Sequence, residues 1–192
     1  MNWIIIVEWS ARLILFGLVG LSVWSISIIL DRRKFFKQWD KNESIEALSE
    51  KIEKGEKITL NSTDKDTDPR LSYLLKVEAA TSDKLDHYFI AFINEGQKSW
   101  KKGLGVLGTL GSTTPFIGLL GTILGIIVSF GELSKGSVDM KGVMFSLAEA
   151  LILTAVGLAV AIPAVIAFNI FNKKVVTMIK DIESVKELKK TL

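Results

Sequence analysis

The chain has 192 residues, 48% of them hydrophobic, a formal net charge of +3 and a mean hydropathy of +0.35. That balance is too apolar for a water-soluble domain of this size, and the small, unevenly placed charge argues for membrane orientation over nucleic-acid binding. With no cysteine, disulfides, thiolate chemistry and cysteine-ligated metals are excluded.

Residues 1–30 read as a first membrane span, apolar from about Trp3 to Leu30. They have neither a basic leading region nor a small-residue cleavage site, so an uncleaved span is expected. Glu8 and Arg12 lie four apart, close enough to pair near the headgroups, with Trp3 and Trp9 as interfacial belt residues. A contact with a partner is the alternative use of that pair. The span leaves the membrane through Asp31-Arg32-Arg33-Lys34-Phe35-Phe36-Lys37, a basic stop-transfer cluster.

Residues 31–103 form a polar region that reads as cytoplasmic and helical. Ser44 to Glu56 places Ile45, Leu48 and Ile52 on one helical face, with Ser44 as N-cap. Asn61 to Pro69 is a loop, rich in turn formers and closed by proline. From Leu71 to Trp100 a long helix is predicted by the spacing of Leu71, Leu74, Leu75, Leu85, Phe89, Phe92, Ile93 and Trp100. It is expected to run on into the second span as one rod. His87, with no histidine or cysteine nearby, reads as an exposed helix residue in preference to a ligand or a pH sensor.

Residues 104–130 and 143–171 are a second and a third span joined by a polar turn, 131–142, and 172–192 continue as a C-terminal helix. Each apolar run exceeds the roughly 20 residues needed to cross a bilayer, so the pair is a transmembrane hairpin. Basic residues flank the spans on one side: Arg32, Arg33, Lys34 and Lys37, then Lys98, Lys101 and Lys102, then Lys173 and Lys174. The turn has only Lys135 and Lys141, set against Glu132 and Asp139. The positive-inside rule therefore predicts three spans with the N-terminus outside and the C-terminus inside.

Both spans of the hairpin carry a stripe of small residues. In the second, Gly108, Gly111, Pro115, Gly118, Thr122, Gly125 and Ser129 recur at alternating steps of three and four. In the third, the stripe is Ser146, Ala150, Thr154, Gly157, Ala161 and Ala164. Such stripes let helices approach closely in lipid, which accounts for most of these positions. It does not account for Glu149, an acid inside the third span. A charged carboxylate at mid-membrane costs on the order of 3 kcal/mol, so the group is either a neutral interhelical contact or part of a polar path. At 1.5 Å per residue, Thr122 lies about 12 Å from Phe130, while Glu149 and Thr154 lie about 9 and about 16 Å from Val143. Two hydroxyls and one acid thus share a layer. Five positions separate Glu149 from Thr154, about 140° of rotation, so the acid flanks the stripe. Each threonine could instead bond back to its own helix. Pro115 and Pro163 each remove one helical hydrogen bond and mark bends, static or hinged.

TPFIGLLGTILGIIVSF followed by LAEALILTAVGLAVAIPAVIAFN resembles the MotA/TolQ/ExbB proton channel family, closely over the second and third spans and more loosely over the first. By position, Thr122 and Thr154 match the family's pore threonines. Glu149 matches a glutamate typical of its ExbB and TolQ branches; flagellar MotA proteins usually have four spans and lack it. The resemblance implies an all-α, ring-shaped homo-oligomer, a pentamer, around two copies of a single-span ExbD- or TolR-like partner. A proton would be the coupling ion in a bacterial inner membrane, with no other cofactor and no metal. TonB-dependent uptake, through a TonB- or TolA-like protein, is favoured over a TolQ-type envelope motor or a flagellar- or gliding-type stator. A scaffold that packs a partner without conducting is the second class of reading. An enzyme is not expected, because no HExxH, GxSxG, P-loop or paired-carboxylate pattern is present.

Overall fold

The computed structural model describes residues 2–39, 73, 82–134 and 140–191. The Ser44–Glu56 segment, the Asn61–Pro69 loop, Leu71, Leu74, Leu75 and residues 135–139 lie outside that set. Among the described residues there are four helices: α1 (Asn2–Trp39), α2 (Ser82–Trp100), α3 (Leu104–Leu133) and α4 (Met140–Thr191). Three of them, α1, α3 and α4, are long and apolar enough to cross a membrane. The fold is thus that of an all-α membrane protein. Pro115 and Pro163 sit inside α3 and α4 without ending them.

The helix predicted to enter the second span without a break does not do so. Lys101, Lys102 and Gly103 form a turn after α2, and Gly103 has a φ of 76°, a left-handed conformation open to glycine and strained for other residues. The Lys101 amide donates to Gln97, that of Lys102 to Ser99, and that of Leu104 to Lys101, which closes α2 and starts α3. Apolar periodicity alone runs straight through this point, because a glycine C-cap changes backbone direction without changing the pattern of side chains.

The chain divides into two compact units. The first comprises Met1–Leu30 and Gly105–Asn169, and so contains the apolar parts of α1, α3 and α4. Many of its large apolar side chains point outward, among them Leu13, Phe16, Phe116, Phe130, Leu151 and Ile162, while Leu18, Leu107 and Leu153 are buried beside the small residues. Small residues lie inside, which is the inversion expected where the surroundings are lipid and backbones pack closely.

The second unit comprises Asp31–Leu104 and Ile170–Leu192. Its core is built from Phe36, Tyr73, Leu85, Ile93, Trp100, Phe171, Val175, Met178, Ile182 and Val185, all buried. Tyr73 meets Phe89 edge-on at 6.0 Å and Phe92 at 5.5 Å, and Phe36 stacks on Phe171 at 5.4 Å. Lys84, Asp86, His87, Glu95 and Lys98 occupy the exposed face of α2. This amphipathic pattern is that of a water-facing helix, where each large apolar side chain buried contributes about 2 kcal/mol. Arg32, buried in the basic cluster, donates from Nη1 to the Ser99 carbonyl at 2.9 Å and pairs with Asp31 at 2.6 Å. It thereby gives the Ser99 carbonyl, one of the last of α2, a second donor beside the Lys102 amide.

Candidate functional site

The site is built on the seam where α3 crosses α4. Gly111, Gly118 and Gly125 recur every seven residues along α3 and face Val165, Gly157 and Ala150 of the oppositely running α4. A period of seven over two turns keeps one stripe on the partner and favours a shallow left-handed crossing. The two backbones come closest at the middle, while the end glycines meet the Val165 and Ala150 side chains. A Cβ added to Gly118 would stand 2.8 Å from the Leu153 carbonyl oxygen and 3.0 Å from the Thr154 Cα, and one on Gly157 would stand 2.7 Å from the Thr114 oxygen. Only hydrogen at these two positions lets the backbones touch. Ala150, Ala161 and Ala164 continue the buried stripe of α4.

The two threonines lie at this seam. Thr122 is buried, and its Oγ1 donates to the Leu119 carbonyl at 2.7 Å, the back-bond that a hydroxyl in an apolar helix makes when no better acceptor is near. Thr154 is different. Its Oγ1 is the one buried side-chain polar atom among the described residues that has no hydrogen-bond partner. An unmet buried hydroxyl is unfavourable, and such exceptions concentrate where a group serves something besides packing. Gly118 lies one turn from Thr122 and touches Thr154, and Gly121 packs on Leu153. The two hydroxyls therefore sit within about one turn of the same level.

Glu149 is on another face. Its neighbour Ala150 is 2% exposed against Gly125, and the 100° step of the helix turns Glu149 away from the seam, where it is exposed. It lines a cavity of about 300 Å³ with Phe145, Ile152 and Leu153 of α4 and Arg12 and Leu15 of α1. The cavity walls are apolar except for the two charged side chains. The Arg12 guanidinium lies 5.9 Å from the centre of the Trp9 ring. The side chain of Glu8, the expected neighbour of Arg12, lies outside the described residues. Sequence spacing ties Arg12 to its own helix and gives no sign of Glu149, since the two are far apart along the chain. The available signal was Arg12 itself, a basic residue within an apolar span.

Among the described residues, no group of three or more histidine, cysteine, aspartate or glutamate side chains is placed to hold a metal ion. What the arrangement offers is the Glu149 acid, the Thr122 and Thr154 hydroxyls with the buried Thr114 and Ser129, whose hydroxyls bond to their own helix, and a nearby guanidinium. That set can carry or gate a small ion and has no nucleophile–base pair for bond chemistry.

Comparison with known proteins identifies the family. A family model described as the MotA/TolQ/ExbB proton channel family matches residues 46–184, more than half of the chain. The chain is 51% identical over 77 residues to the biopolymer transport protein ExbB of Xanthomonas campestris pv. campestris, a match covering 38% of this chain and 29% of that protein. It is 44% identical over 92 residues to the protein of the same name from Aquifex aeolicus, covering 46% of this chain and 61% of the relative. With the Salmonella typhimurium ExbB it shares 44% over 75 residues, covering 38% and 31%. The chain thus spans less than two thirds of the length of each of these relatives. With three apolar helices, an acid in the third and a match of this extent, the chain belongs to the MotA/TolQ/ExbB proton channel family.

Proposed function

We propose that the chain is an ExbB-like subunit of a proton-driven motor in a bacterial inner membrane. In this reading, several copies, five by resemblance, surround two single-span helices of an ExbD- or TolR-like partner. Protons moving along Glu149 and the Thr122–Thr154 level drive a conformational step of the partner. The N-terminus and the turn between α3 and α4 lie on the periplasmic side. Work is delivered through a TonB- or TolA-like protein, with TonB-dependent uptake favoured because the relatives carry the name ExbB. The observation that carries the reading is Glu149, an acid on an exposed face of an apolar helix in a member of a proton channel family. The driving force is sufficient: one charge crossing 100 mV releases about 2.3 kcal/mol, so a few protons can power a rotation or a shift between packed states.

The test is proton flux into vesicles that hold the chain with its single-span partner. Glu149→Ala combined with Thr122→Ala and Thr154→Ala should abolish it; undiminished flux in an assembled triple variant would reject the path. Glu149→Gln beside Glu149→Ala separates a group that titrates from one that only shapes the local field.

A second reading, a non-conducting scaffold, is favoured by one observation: the Thr122 hydroxyl is already satisfied by its own helix. It predicts that substitutions at Glu149 and Thr154 change the amount of partner retained and leave no flux to measure in the wild type.

A further inference from the structure

The cavity between α1 and α4 sets two opposite charges facing one apolar space. Arg12 of α1 and Glu149 of α4 line this one cavity. The two helices thus bring the guanidinium and the carboxylate to one depth. Ala11, Leu15, Phe145, Ala148, Ile152 and Leu153 supply the rest of the wall and no hydrogen-bonding group from their side chains. A cavity of about 300 Å³ has room for several waters, and waters persist only where polar partners hold them. Here those partners are the two charged heads. An arginine whose only task was to reach the headgroups would need no acid from a neighbouring span at its own depth. Likewise, an isolated carboxylate in apolar surroundings is unfavourable unless an opposite charge or water accompanies it.

We propose that Arg12 is the counter-charge of Glu149: a positioning residue on the first span that holds the carboxylate of the third through water in this cavity. Arg12 is not itself on the ion path. It keeps the acid turned to the α1–α4 groove and ties the first span to the conducting hairpin. This gives the first span, otherwise a lipid-facing anchor, a part in conduction. The inference rests on the proposed role of Glu149.

Proton flux through the reconstituted complex separates the two claims. If Glu149→Ala leaves flux unaltered, the proposed function fails; if Glu149→Ala reduces flux and Glu149→Gln leaves it unaltered, no charge is being held and the present inference fails. If Glu149→Gln reduces it and Arg12→Gln does not, only the present inference fails. The expected result is an about tenfold loss in Arg12→Gln, within the range of coupling between contacting groups, and recovery to at least about half of wild type in Arg12→Lys. The Arg12→Gln/Glu149→Gln double variant should lose no more than Glu149→Gln alone, because the guanidinium then has nothing to hold. Losses that multiply would overturn the pairing, as would Glu8→Gln reproducing the Arg12→Gln loss. A measurement independent of activity uses the absence of native cysteine. In membranes, Arg12→Cys/Glu149→Cys should be joined by a short bis-maleimide within one chain, leaving its gel mobility monomeric. Cross-linking only between chains, or none, would overturn the proposal.

Discussion

At the scale of single residues, the seam depends on positions where nothing larger than hydrogen fits. Gly118→Ala would push a methyl group into the Leu153 carbonyl and the Thr154 Cα, both backbone atoms that cannot rotate away. It should lower the thermal midpoint of the detergent-solubilised protein, with overpacking of this kind costing about 1–3 kcal/mol. Gly17→Ala is the matched control, since a Cβ there meets nothing within 4 Å, and it should leave the midpoint unchanged or slightly raised. Equal effects of the two would mean that the α3–α4 crossing is looser than described. Thr154→Val tests the unmet hydroxyl. It preserves shape and removes an unsatisfied polar atom, so stability should hold or rise while any ion flux falls. Thr122 and Thr154 can be picked out from the sequence by spacing, and so can Glu149 as an intramembrane acid. Their different surroundings cannot. Whether a hydroxyl turns back to its own carbonyl or stays unpaired is decided by the neighbouring helix.

At the scale of elements, the break between α2 and α3 and the contact between α2 and the end of α4 are the features open to test. Gly103→Ala places a side chain at a φ of 76° and should destabilise the protein by roughly 1 kcal/mol, with Gly103→Asn milder because asparagine tolerates that region. Calorimetry or thermal unfolding followed by fluorescence of the nearby Trp100 reads it out. On α2, Asp86 accepts from Lys190 at 2.8 Å and pairs with Lys186 at 3.1 Å. Lys186 also lies 4.7 Å from the centre of the Phe89 ring. Lys190, then Lys186, hold the Asp86 carboxyl below its ordinary value. This contact therefore stabilises above the ordinary carboxylate range, near pH 4, and is lost as pH falls through the lowered value of the folded protein. Glu187 and Asp86 in turn raise Lys186, so its share persists until strongly alkaline pH. Asp86→Asn should lower the midpoint slightly at neutral pH, less in high salt, and flatten the acid side of the profile. A decrease insensitive to salt would point to packing in place of charge. The three apolar helices were legible from composition, and α2 from the spacing of Leu85, Phe89, Ile93 and Trp100. The stop at Gly103 was hidden among other glycines at the entrance to α3, although Lys-Lys-Gly carries the mark of a helix C-terminus. Arg32 capping Ser99 and Asp86 meeting Lys186 and Lys190 were not legible, because they join residues that only the tertiary fold brings together.

At the scale of the whole molecule, the exposed apolar faces of α1, α3 and α4 must meet lipid, other copies of the chain or a partner span. Composition makes the membrane class legible, but a single chain cannot encode where lipid ends and a neighbour begins, since both surfaces are apolar. The glutamate does discriminate between them: on a lipid-facing surface it would be unfavourable, and in an assembly it has a reason to be there. The chain should be retained as a homo-oligomer together with a single-span protein bearing an intramembrane acid, and mass measurement of the solubilised assembly should give several copies of the chain plus the mass of that partner. The most direct test of its central claim is proton flux, under an imposed membrane potential, through vesicles containing that assembly with Glu149→Ala. The account predicts at least an about tenfold loss relative to wild type at equal assembly, comparable to removing any positioned proton-transfer group. Flux equal to wild type in the fully assembled variant would contradict it.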